Sequence, residues 1–130
     1  MNHDDLERGF AVRREVLGDE HVDRAMARTT DFTRAFQEFI TADVWGDIWG
    51  RPGLDRRTRS AITLALLTAL RAEGEIPMHV RAALRNGLTP EEIGEVLLHA
   101  AAYAGVPAAN RAFELAREVI EESEAEGRPS

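Results

Sequence analysis

The chain has 130 residues, 23 of them acidic and 16 basic, for a formal charge of −7; it holds no cysteine, and every basic residue is arginine. The missing thiols exclude disulfides, cysteine nucleophiles and cysteine-ligated zinc, and the missing lysines exclude an imine or a lysine-bearing phosphate loop. So acidic a balance also argues against a nucleic-acid partner.

The elements read as helices throughout. Alanine alone contributes 20 residues, with leucine, glutamate and arginine also abundant, and no run alternates β-branched and aromatic residues as a strand would. An amphipathic stretch over about 4–17 stops at Gly18. Over about 20–42, Val22, Met26, Phe32, Phe36, Phe39 and Ile40 recur at helical spacing, with a break near Thr29–Thr30. A short segment over 43–49 is stopped by Gly50, Pro52 and Gly53, and Asp55 then caps a helix running to about Ala72. Pro77 sits in the first turn of the next helix, which ends at Asn86–Gly87. Thr89-Pro90-Glu91-Glu92 is a capping box opening a helix that Gly105 closes. The last helix begins near Pro107 and fades over 118–127; residues from about 120 to 130 form an acidic tail expected to fray.

The length suits one domain, residues 1–130, and the expected fold class is all-α, a single-domain antiparallel helical bundle. The start, MNHDDLERGF, is acidic and lacks an apolar run, unlike a signal peptide. The uncharged stretch over 96–110 is too short to span a bilayer, so no membrane is expected and the cytoplasm is the default. The stretch from Ser60 to Leu70 is uncharged on every side and needs cover all round. That points to a homo-oligomer with this helix or Ala100–Ala104 near the contact, or else to a central helix wrapped by the others.

Few residues can carry chemistry. Glu75 and His79 lie four apart, and a carboxylate beside an imidazole is a common proton-transfer pair, although the same spacing also makes an ordinary surface pair. Arg51, Arg56, Arg57 and Arg59 cluster where a helix begins; arginine opposes the macrodipole there, so anionic company is expected, from a ligand or from protein carboxylates. Trp45 and Trp49 either wall a pocket beside Arg51 or belong to the core. Tyr103 can offer its hydroxyl to a ligand, and His99 can pair with Glu95. The scattered histidines give no metal-binding spacing, and no glycine-rich nucleotide loop or nucleophile elbow is present.

Taken together, several segments resemble the carboxymuconolactone decarboxylase family over nearly the whole chain. They are Arg13-Arg14-Glu15-Val16-Leu17-Gly18, the run from Trp45 to Leu54 (WGDIWGRPGL), Arg57-Thr58-Arg59-Ser60, Glu75 to Ala83 (EIPMHVRAA) and Tyr103 to Asn110 (YAGVPAAN). Peroxidase-like members of that family, similar to alkylhydroperoxidase D, carry Cys-x-x-Cys-x-x-x-His. With His79 on that histidine, Glu75 and Ala72 stand where the cysteines would be, which removes the peroxidase chemistry and leaves a pair suited to proton transfer.

The resemblance implies an all-α subunit of the carboxymuconolactone decarboxylase and alkylhydroperoxidase D type, assembled as a trimer or hexamer. It implies decarboxylation of 4-carboxymuconolactone, an anionic lactone of protocatechuate breakdown, to the β-ketoadipate enol-lactone. No cofactor or metal is implied, because the lactone itself accepts the electrons. The roles that follow are His79 as proton donor, Glu75 as its orienting partner, Arg51 or Arg59 on a substrate carboxylate, and Trp45, Trp49 and Tyr103 lining the pocket. Two alternatives stand beside it: a non-catalytic, oligomeric small-acid-binding protein on the same scaffold, and a decarboxylase or isomerase of a related lactone.

Overall fold

A computed structural model describes residues 2–127, and among them there are seven α-helices and no strand. The chain divides into two compact units, with the boundary between Arg56 and Arg57.

The first unit is built on α1 (His3–Leu17), α2 (Asp19–Ala27) and α3 (Arg34–Phe39). The Asn2 side chain caps α1 by accepting from the Asp5 amide at 2.8 Å. The expected break falls after Ala27, where Thr30 and Thr33 bond to each other's backbone in place of helical partners. The short segment expected over 43–49 is not separate. A π-helical stretch, Ile40–Trp49, runs directly on from α3 and turns Thr41, Ala42, Trp45, Gly46 and Trp49 inward. Its partner is α1, which approaches so closely that a Cβ on Gly9 would stand 2.1 Å from the Thr41 carbonyl oxygen, with Gly46 against Gly9 in turn. Two glycines, 37 positions apart, therefore set the contact, a pairing that hydrophobic periodicity cannot reveal.

The second unit contains α4 (Arg56–Ala69) from Arg57 onward, a 3₁₀ turn (Glu73–Glu75), α5 (Ile76–Arg85), α6 (Pro90–Ala104) and α7 (Val106–Gly127). Leu64, Ile76, Val80, Ile93, Leu97, Ala112 and Ala116 form its core. Helix α4 ends three residues before the expected Ala72. The Ala72 amide reaches back to Leu67 O and the Arg71 amide to Thr68 O, a Schellman closure with Arg71 in the left-handed region at φ 58°. The same closure follows α5, where Gly87 takes φ 104° as its residue type allows. At Thr89 the capping box is complete, with both reciprocal bonds to Glu92 formed. Helix α7 continues to Gly127 instead of fading from 118, because glutamate and alanine are good helix formers and Val119 and Ile120 still pack on the core. The rest of the expected tail, 128–130, lies outside the described residues.

Only one face of α4 is covered: Ser60, Leu64 and Thr68 are buried, whereas Ile62, Leu66 and Leu70 are exposed. No helix among the described residues is long and apolar enough to cross a membrane.

Candidate active site

The second unit buries an imidazole. His79 stands on α5 among Ile76, Val80, Ala82 and Ala83 and is 8% exposed. About two turns further along, at the C-cap of α5, half-buried Asn86 donates from Nδ2 to Ser60 Oγ of α4 at 3.0 Å. Glu75 is placed differently. It is the N-cap residue of α5, at the end of the 3₁₀ turn; its side chain is exposed, and no hydrogen bond joins it to His79 among the described residues. The helical spacing that sets the two on one face holds only from Ile76 onward.

The arginines at the start of α4 have separate fates. Arg56 pairs with Glu15 at 2.9 Å. Arg57 pairs with Glu92, and its methylenes lie against the bare Cα of Gly87. Glu92 is held below the ordinary carboxylate range, first by the Thr89 amide and then by the Arg57 guanidinium. Protein carboxylates thus supply the anionic company for these two. Arg59 is half-buried on α4. Tyr103, near the end of α6, is 84% exposed and lies with its ring 5.3 Å from that of His99. A groove of about 490 Å³ between α6 and α7 is floored by Ile93, Leu97 and Ala116 and takes in none of the expected site residues.

The first unit holds the indoles. Trp45 and Trp49 are both buried in the π-helical stretch, ring centroids 5.4 Å apart and tilted by 34°. Arg51, just beyond, is exposed. A π-helical stretch is uncommon and often accompanies a functional site. Sequence reasoning passed over the most deeply buried cation in this unit. Arg13 is 4% exposed and donates from Nη1 to Gln37 Oε1 at 3.2 Å and Thr41 Oγ1 at 3.0 Å. The signal was present, since Gly9, Val12, Arg13 and Val16 make an i, i+3, i+4, i+7 stripe, the spacing of a buried helix face.

The profile of the "Carboxymuconolactone decarboxylase family" matches residues 30–118, and the chain belongs to that family. Among curated relatives, 4-carboxymuconolactone decarboxylase of Acinetobacter baylyi is 48% identical over 114 residues, which is 88% of this chain and 85% of that protein. The nitrosuccinic acid decarboxylase of Metarhizium robertsii is 44% identical over 115 residues, covering 88% and 80%. A 4-carboxymuconolactone decarboxylase of Pseudomonas putida is 54% identical over 39 residues, 30% of this chain and 81% of that sequence.

Proposed function

We propose that the protein is a carboxy-lyase that converts 4-carboxymuconolactone to the β-ketoadipate enol-lactone and carbon dioxide, acting in the cytoplasm as a homo-oligomer. The observation that carries the reading is the 48% identity to a decarboxylase of that name over nearly nine-tenths of the chain.

The substrate is a butenolide whose γ-carbon bears both a carboxylate and an acetate arm. When the C–CO₂ bond breaks, its electron pair passes through the ring alkene to the lactone carbonyl, leaving a furan-type dienolate. A proton added at the α-carbon then gives the enol-lactone, so one proton is consumed for each carbon dioxide released. No lysine imine is needed, in keeping with a chain that has no lysine.

The protein has three tasks. It must neutralise two carboxylates, stabilise charge on the lactone oxygen and deliver a proton to carbon. His79 is the proton donor: it is the buried imidazole of α5, and histidine is the side chain most often used as a general acid. Glu75, exposed at the head of α5, is its orienting partner. Arg51, with Arg59 as second choice, takes a substrate carboxylate, and Trp45, Trp49 and Tyr103 line the pocket. The exposed Ile62, Leu66 and Leu70 of α4 form the contact between copies, as a trimer or hexamer.

Incubating purified protein with the lactone and following its ultraviolet absorbance tests the reading. Loss of the lactone band with release of carbon dioxide is expected, whereas binding without turnover would favour the small-acid-binding alternative.

The similarity to a nitrosuccinic acid decarboxylase favours one broader reading. Nitrosuccinate and 4-carboxymuconolactone share a unit in which the carbon bearing the leaving carboxylate also carries a CH₂–COO⁻ arm. A nitro group can accept the electron pair as a lactone carbonyl does. Measuring kcat/KM on both acids decides which of them the pocket prefers.

A further inference from the structure

Arg13 takes no part in the steps above, yet its setting is unusual for an arginine. It lies at the centre of the buried stripe of α1, between Val12 and Val16. Both of its hydrogen bonds leave from Nη1, and both acceptors, Gln37 Oε1 and Thr41 Oγ1, are neutral. Nε is buried without a hydrogen-bond partner, and no carboxylate pairs with the guanidinium among the described residues. Burial lowers its pKa with no opposing contribution from an anion. A buried cation with no counter-charge is costly, and chains rarely keep one where an apolar side chain of similar volume would do.

The arrangement has a direction. Gln37 and Thr41 hold the Nη1 end of the fork, and Thr41 is itself fixed by donating to the Gln37 carbonyl oxygen at 2.7 Å. This leaves the Nε–Nη2 edge, the side on which a guanidinium meets a planar carboxylate through two parallel hydrogen bonds. Thr41 also begins the buried face that Trp45 and Trp49 continue.

We propose that Arg13 is a carboxylate-binding residue, its Nε–Nη2 edge receiving the acetate arm of the substrate while Gln37 and Thr41 hold the guanidinium in place. The inference rests on the proposed decarboxylase reading, in which the substrate is a dianion and one of its two carboxylates is the acetate arm.

The test crosses a side-chain change with a substrate change. Wild type, Arg13→Gln and Arg13→Lys are assayed on the lactone and on an analogue whose acetate arm is a methyl group. Arg13→Gln should raise KM for the full lactone by roughly 10- to 100-fold, the scale of a charged hydrogen bond, and leave kcat/KM for the methyl analogue within about threefold. Arg13→Lys, which keeps the charge without the fork, should fall between. Equal losses on both substrates would mean a structural role and overturn the proposal, as would no loss on either. Circular dichroism establishes that each variant is folded.

Succinate binding by calorimetry separates this inference from the reading beneath it. If the wild type binds succinate, Arg13→Gln does not, and the lactone is not turned over, the reaction is wrong and the arginine site stands. If the lactone is turned over and Arg13→Gln is indifferent to the arm, the arginine site is wrong and the reaction stands.

Discussion

At the scale of single residues, the account depends most on His79. If it delivers the proton, His79→Ala should cost about 10²- to 10⁴-fold in kcat with the fold intact, the usual range for a general acid; near-normal turnover removes it from the role. Arg51→Ala should raise KM on the lactone with a smaller effect on kcat, and an unchanged KM transfers the carboxylate to Arg59. Steric constraint governs Gly9, where any side chain meets the Thr41 carbonyl oxygen. Gly9→Ala should therefore destabilise by about 1–3 kcal/mol, read from urea unfolding. The candidate residue types follow from the composition: without cysteine or lysine, histidines, carboxylates and arginines are the groups left to propose for the chemistry. Arg13 was not legible in the same way. A reading that sorts arginine among surface residues misses one held in the middle of an apolar stripe.

At the scale of elements, the boundaries carrying turn chemistry were the ones the sequence showed. Gly18, Gly87 and Gly105 close helices with positive φ, and the Thr89–Glu92 box opens one. Thr89→Ala should cost about 1 kcal/mol. Arg71 closes α4 in the same left-handed conformation without being glycine, so Arg71→Gly should stabilise by up to about 1 kcal/mol, its exposed pairing with Glu73 contributing little. Glu92 adds a pH dependence. Its folded pKa lies below its ordinary value of 4.5, so its contribution is present above that value and is lost as pH falls through the lowered one. Thermal melts of Glu92→Gln should accordingly lose less stability than wild type on acidification below about pH 4.5; parallel curves would contradict this. The π-helical stretch was beyond reach of periodicity, and the approach of Gly9 and Gly46 that packs it on α1 joins two distant parts of the chain.

At the scale of the whole molecule, the proposed association rests on α4. Its inner stripe is covered and its outer stripe of Ile62, Leu66 and Leu70 is open, apolar and continuous over two turns. Size-exclusion chromatography with light scattering should find an oligomer for the wild type and a smaller species for Leu66→Glu; a monomeric wild type would withdraw the assembly. The uncharged run from Ser60 to Leu70 already signalled a helix in need of cover, but which of its faces the subunit leaves open became visible only once Leu64 had turned toward Ile76 and Val80. The central claim is decarboxylation with protonation at carbon, and proton NMR of the wild-type protein with 4-carboxymuconolactone in D₂O tests it most directly. The account predicts early product that has lost the ring carboxylate and carries one deuterium on the carbon beside the lactone carbonyl. Lactone that persists with its carboxylate in place would contradict it.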